Sequence, residues 1–236
     1  MKTLLAYPTV KLGAVIVLLL GAIALVYSGA LAFSVVSAPI HEPDLLAGIT
    51  LADSFDETDA AYLQTSLRWL RDYLPEWYAY MNEAKPFIVS IGQTDNVGWS
   101  AANSTCCDEQ GNGQITFDDH LDSLAASDGA KDQSPPARQV LFLSMLIHEA
   151  THLRDHRAGR IPAKIDAAAC IATEGAAYVK EFEFKRAMAS AKMDDNHSSE
   201  LYRRAAERQL IGDEQQFSNN FWKLYCILAH PNIMDD

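Results

Sequence analysis

Residues 148–152, His-Glu-Ala-Thr-His, form the pattern His-Glu-x-x-His. On a helix, side chains four residues apart project from the same face, so His148 and His152 can converge on one metal ion. Glu149 would flank that ion without binding it, where it can take a proton from a metal-activated water. The preceding residues 140–147 are mostly apolar, which predicts a buried helix leading into the motif. The pattern therefore predicts a zinc site with hydrolytic chemistry.

The third zinc ligand is predicted to be Glu174. A catalytic zinc ion usually has three protein ligands and one open position. A third histidine six residues after His152 is excluded, because position 158 holds alanine. Glu174 follows His152 by 22 residues, beyond the stop signals at 159–162, so a second helix can fold back and present its carboxylate. The many alanines around Glu174 would let the two helices approach closely.

Tyr178 is a further candidate catalytic residue. It lies four residues after Glu174, so the two side chains would share one face of the helix. Its hydroxyl could steady the Glu174 carboxylate or the oxyanion that forms on a substrate carbonyl. The alternative role is packing in the core with a hydrogen-bonded hydroxyl.

The predicted ligand set and the flanking Glu149 resemble the active site of a gluzincin, a zincin metallopeptidase with two His and one Glu as zinc ligands. The resemblance covers about residues 139–180. It implies zinc as cofactor, a peptide or protein as substrate, and a zincin-like α+β fold that is mainly helical. In that family a small twisted sheet covers the active-site helix, and an edge strand pairs with extended substrate. Ile115–Phe117 is the candidate edge strand here.

This chain also departs from the family pattern. The thermolysin-like branch places an Asp four residues after its ligand Glu, where this chain has Tyr178. The resemblance therefore does not identify the residue that would hold a zinc-binding histidine in its orientation. It does not identify a histidine that would stabilise the oxyanion either.

Apolar periodicity predicts the elements that must position these residues. Ser54 and Glu57 fit a capping box at the start of the first helix. Residues 92–113 are rich in Gly, Ser, Asn, Asp and Thr and are predicted as a long loop. The predicted strands are 87–91 and 115–117. The predicted helices are 55–74, a short helix after Pro75, a helix that carries the motif and ends before Gly159, and then 163–192, 197–211 and 214–229.

The N-terminal segment 1–38 is predicted to direct the chain to a membrane. Positions 12–38 are 27 residues without a charged side chain, more than the roughly 20 that cross a bilayer. Lys2 and Lys11 precede this run, which predicts a transmembrane anchor with domain 39–236 outside the cytoplasm, periplasmic or extracellular. A signal peptide cleaved after Ala32, giving a secreted protein, is the alternative.

The four cysteines would then lie in an oxidising compartment. Because Cys106 and Cys107 are adjacent, we expect each to bond a distant partner, Cys170 or Cys226. A buried free thiol at Cys170 is the alternative, because it lies in an alanine-rich run.

Charge and a second motif complete the expectations. The net charge is -12, from 19 Lys and Arg against 31 Asp and Glu, which argues against nucleic-acid binding. Residues 108–119 resemble a 12-residue calcium loop with Asp108, Asn112 and Asp119 as ligands, although a plain turn explains the same letters. Three functions follow: a zinc metallopeptidase, a catalytically inactive zincin-like metal-binding protein, or a calcium-stabilised surface or scaffold module.

Overall fold

The computed structural model describes residues 45–94, 102–118, 135–162, 164–191, 197–218 and 221–229. Within these ranges the chain is α+β and mainly helical, with a small four-stranded sheet. This confirms the predicted fold class at that level. The predicted anchor 1–38 lies outside the described residues, and none of the helices inside them combines the length and apolarity needed to cross a bilayer.

The sheet places two predicted strands at its centre. Its strands are β1 (Ile49–Leu51), β2 (Phe87–Gly92), β3 (Ala102–Thr105) and β4 (Gly113–Asp118). They lie in the order β1-β2-β4-β3, with β2 parallel to β1 and β4 and with β3 antiparallel to β4. The buried side chains of Val89 and Ile115 are paired in register across β2 and β4.

Two expectations about the sheet were wrong. Ile115–Phe117 is not an edge strand, because β4 is paired on both sides, by β2 and by β3. The edge strand next to β4 is β3, which lies inside the predicted loop 92–113. Its sequence, Ala-Asn-Ser-Thr, lacks the alternation of apolar and polar residues that marks a strand. Backbone pairing with β4 forms this strand despite its weak local signal.

The helices follow the predicted order, but the predicted break at 212–213 lies inside a helix that continues to Ser218. Their bounds are α1 (Glu57–Tyr73), α2 (Pro75–Asn82), α3 (Pro135–Arg157), α4 (Ala167–Ser190), α5 (His197–Ser218) and α6 (Phe221–Ala229). The predicted cap of α1 was wrong. Asp56 caps the helix by accepting from the N–H groups of Thr58 and Asp59, at 2.7 and 2.9 Å. The Ser54 hydroxyl instead accepts from the N–H of Ile91 in β2.

The motif helix α3 lies at the centre of the fold. It packs against β3 and β4 on one side and against α4 and α5 on the other. At Gly113, the first residue of β4, a β-carbon would lie 2.7 Å from Leu153 Cδ2, so only glycine permits this approach without movement. Because Leu153 directly follows His152, this contact fixes the motif relative to the sheet.

The end of α3 is attached to the start of the sheet. Arg157 donates hydrogen bonds to the backbone carbonyls of Ala84 and Pro86, just before β2. Gly159 then adopts a left-handed conformation, with φ of 67°, which ends the helix. Asp166 caps α4 by accepting from the N–H of Ala169 at 2.7 Å. Gly159 and Asp166 therefore fix the end of α3 and the start of α4, which then runs back along α3.

The predicted disulfide pairing was wrong. Cys170 bonds Cys226, with α-carbons 5.6 Å apart, and Cys106 bonds its neighbour Cys107. The reason is topological: Cys170 and Cys226 lie on α4 and α6, which pack together, whereas Cys106 and Cys107 follow β3 at the edge of the sheet.

Candidate metal centre

The three predicted ligands meet between α3 and α4. The Nε2 atoms of His148 and His152 are 3.3 Å apart. Glu174 places Oε2 3.3 Å from the first nitrogen and Oε1 3.4 Å from the second. A zinc ion about 2.0–2.1 Å from each ligand atom, in tetrahedral geometry, requires ligand atoms about 3.3–3.4 Å apart. The two nitrogens are at that spacing from each other, and each is at that spacing from a different oxygen of Glu174, so the three side chains could hold a metal ion.

The return of α4 along α3 explains why the three side chains meet. Glu174 reaches both histidines, whereas Glu181, two turns further along α4, reaches His148 only. The two helices therefore run in opposite directions at the site. All three ligand side chains are largely shielded from solvent, with exposed fractions of 10% for His148, 12% for His152 and 23% for Glu174.

Both ring nitrogens of His148 face carboxylates. Its Nδ1 is 3.1 Å from Glu181 Oε2, and an ionised carboxylate can only accept, so Nδ1–H donates this bond. In the neutral ring, Nε2 then keeps a lone pair directed at the Glu174 carboxylate, and only a cation or a proton relieves that repulsion. Burial would lower the pKa of His148, but its hydrogen bonds with Glu174 and Glu181 raise the pKa well above the usual value.

The Glu174 carboxyl responds to the same contacts. Burial would raise its pKa, but hydrogen bonds and charge from His148 and His152 lower it well below the usual range. Glu174 is therefore ionised throughout the neutral range, as a zinc ligand must be.

Glu181 is the residue that sequence reasoning missed. Its other oxygen, Oε1, accepts from Lys185 Nζ at 2.6 Å, and the Lys185 side chain is only 1% exposed. Burial would raise the pKa of Glu181, but the charge of Lys185 and the hydrogen bond from His148 lower it to about 2. Glu181 and Lys185 are four residues apart, and this spacing in the sequence predicts an ion pair on a helix. It does not predict burial, because Lys180 and Glu183 have a similar spacing on the same helix and are exposed.

Glu149, the predicted general base, is buried beside the two histidines. It is only 5% exposed, on the turn of α3 between the two histidines. Burial raises its pKa, while the charges of His148 and His152 and the nearby hydroxyl of Ser104 on β3 oppose that shift. A carboxylate whose pKa is raised holds a proton more readily, which suits a group that takes up a proton and returns it.

Tyr178 contacts the site through its ring. The ring packs edge-on against His148, with 4.7 Å between ring centres. Behind it lie the aromatic rings of Phe182, Phe217 and Trp222. These contacts agree with the packing alternative, and the role of its hydroxyl at a substrate oxyanion stays a prediction.

The predicted calcium loop has the geometry of a plain turn. Asp108 Oδ1 accepts from the N–H groups of Gln110 and Asn112, and Oδ2 accepts from Asn112 Nδ2. A calcium loop needs its glycine turn at position six, Gly113, but the positive φ of 82° is at Gly111. Donors therefore occupy the oxygens that would bind calcium. The third predicted ligand, Asp119, lies outside the described residues.

Among the residues that the structure describes, the group of His148, His152 and Glu174 has the spacing that a metal ion requires. No protein-family model, curated protein or solved structure matches this chain.

Proposed function

We propose that this protein is a zinc-dependent metallopeptidase with a zincin-like, gluzincin-type domain. His148, His152 and Glu174 bind the zinc ion, and Glu149 is the general base. The observation that carries the proposal is the convergence of two imidazole nitrogens, 3.3 Å apart, and one carboxylate whose oxygens lie 3.3 and 3.4 Å from them. Two His and one Glu are a known ligand set of catalytic zinc.

The charges of the site favour a divalent cation. Glu149, Glu174 and Glu181 bring three negative charges into a largely buried region, and Lys185 brings one positive charge. Buried charge is costly unless it is paired. Two further positive charges balance this set, which is the charge of Zn²⁺.

The residues around the ligands support hydrolysis of a peptide bond. A bound zinc ion activates water for attack on a carbonyl carbon at neutral pH. Glu149 takes the proton from that water and returns it to the departing amine nitrogen. Among the described strands β3 pairs with β4 alone and packs against α3, so an extended peptide that bound beside β3 would continue the sheet near the motif helix. We therefore propose β3, instead of Ile115–Phe117, as the strand that pairs with the substrate.

The proposed location is a membrane surface outside the cytoplasm. Segment 1–38 would anchor the chain, or would be cleaved as a signal peptide to give a secreted enzyme. The Cys170–Cys226 disulfide supports an oxidising compartment, because disulfides persist in secreted and surface proteins and are rare in the cytosol.

The test is Glu149→Gln in the full chain, purified in detergent and supplied with zinc. The variant should keep one zinc ion, since Glu149 is not a ligand. The rate of cleavage of a mixed fluorogenic peptide library should fall by about 10²–10⁴-fold, because the proton acceptor is lost. Glu183→Gln, an exposed glutamate on α4, is the matched control and should cleave like the wild type.

Two outcomes would contradict the proposal. Unchanged cleavage by Glu149→Gln would remove Glu149 from the reaction. A wild-type chain that holds zinc but cleaves no peptide would favour a catalytically inactive metal-binding protein.

A further inference from the structure

A buried ion pair lies behind the zinc-binding face of His148. Lys185 Nζ is 2.6 Å from Glu181 Oε1, and Glu181 Oε2 is 3.1 Å from His148 Nδ1. The exposed fractions of the Lys185 and Glu181 side chains are 1% and 11%. The three side chains thus form a chain of contacts that starts in the core of the protein and ends at a predicted ligand.

Burying this pair needs an explanation. A buried ion pair contributes little net stability, because desolvation offsets its Coulomb attraction, and apolar residues of similar size often serve as well. The pair is also directional, since each Glu181 oxygen faces a different partner. Its geometry therefore points to a task at His148 beyond holding α4 together.

That task is the choice of tautomer. A zinc ligand must offer the lone pair of Nε2, so its proton must lie on Nδ1. An ionised Glu181 accepts that proton in a hydrogen bond and makes the tautomer favourable. Lys185 contacts the other oxygen of Glu181 at 2.6 Å, which holds the carboxylate with Oε2 directed at His148 Nδ1.

We propose that Glu181 and Lys185 are a positioning pair that holds His148 in its zinc-binding tautomer, so that Lys185 controls metal affinity without touching the ion. This inference rests on the proposed zinc site. The thermolysin-like branch has an Asp at the position of Tyr178. Glu181 and Lys185 would take over the role of orienting the zinc-binding histidine in this chain.

The test compares zinc affinity in the full chain by competition with a chromophoric chelator. Glu181→Gln and Lys185→Met should each bind zinc about 10–100-fold more weakly than the wild type, the usual effect of losing an outer partner of a metal-binding histidine. Glu183→Gln and Lys180→Met remove the exposed pair of the same helix and should keep wild-type affinity. Circular dichroism of the metal-free proteins shows whether each variant is folded.

A second measurement does not depend on the variants folding. Ring ¹⁵N chemical shifts of the metal-free wild type, at a pH where the His148 ring is neutral, should show the proton on Nδ1 and none on Nε2. Wild-type affinity in both folded variants, or a His148 Nδ1 without a proton, would overturn the positioning pair. A wild-type chain that binds no zinc would instead overturn the proposed function.

Discussion

Asp108 holds the turn before β4 with a carboxylate that accepts three hydrogen bonds, two of them from Asn112. The hydrogen bond from the Asn112 side chain is the main reason that the Asp108 pKa is lowered. In an unfolded chain the pKa is about 3.9. The stability that follows from this shift is therefore fully present above about pH 4 and is lost as the pH falls through the lowered folded value.

We therefore expect Asp108→Ala to be less stable than the wild type at pH 7 and the difference to shrink in acid. Urea unfolding at a series of pH values measures it, with Glu109→Ala, an exposed carboxylate of the same turn, as the control. Calcium should leave the melting temperature unchanged, since N–H donors occupy the Asp108 oxygens. A calcium-dependent rise that Asp108→Ala abolishes would restore the calcium loop.

Single residues were predictable where helix geometry alone relates them. His148, Glu149 and His152 are fixed by a four-residue spacing, and Glu174 needed only the return of the next helix. Glu181 was missed, although Glu174 already fixes the rotation of α4. Residues seven apart lie on one face of a helix, so Glu181 faces the histidines with Glu174, and Glu183 does not.

At the scale of elements, the contact between β4 and α3 sets the position of the motif. A methyl group at Gly113 would lie 2.7 and 2.8 Å from the two δ-carbons of Leu153, a side chain that is fully buried. Leu153 has little room to move, because protein interiors are close-packed. The helix and the sheet would have to separate to admit the methyl group.

We expect Gly113→Ala to lower the free energy of unfolding by about 1–3 kcal/mol, the usual cost of overpacking a core. The same change should add much less in a Leu153→Ala background, where the space is open, and a double-mutant cycle from urea unfolding measures that difference. Gly111→Ala adds a β-carbon that would have no other atom within 4 Å, so it tests left-handed strain alone. Equal costs of Gly113→Ala in both backgrounds would rule out the steric explanation.

The helices were predictable as elements because each carries its own apolar periodicity and stop signals. The predicted α1 ended within one residue of its observed end at Tyr73. Strand β3 was not predictable, because its pairing with β4 depends on backbone contacts across the sheet. For the same reason, the sequence did not show that β3, and not β4, is an edge strand.

At the scale of the whole molecule, cross-links join the helices that form the site. The Cys170–Cys226 disulfide joins α4 to α6, and a zinc ion would join α4 to α3. The disulfide pairing could not be predicted, because four cysteines allow three pairings and only the packing of α6 on α4 selects one. Glu174 lies one turn after Cys170, so both cross-links act on the same stretch of α4.

Removal of the metal should therefore destabilise the whole fold. A ligand that binds only the folded chain, at 100 times its dissociation constant, adds about 2.7 kcal/mol. For a domain of 150–250 residues this corresponds to about 5–10 °C in melting temperature. Calorimetry of the full chain with free zinc, and again after chelation, measures the shift. Glu149→Gln should keep the response to zinc and Glu174→Ala should lose it, because of these two residues only Glu174 is a proposed ligand. An equal zinc response in Glu174→Ala would place the third ligand elsewhere.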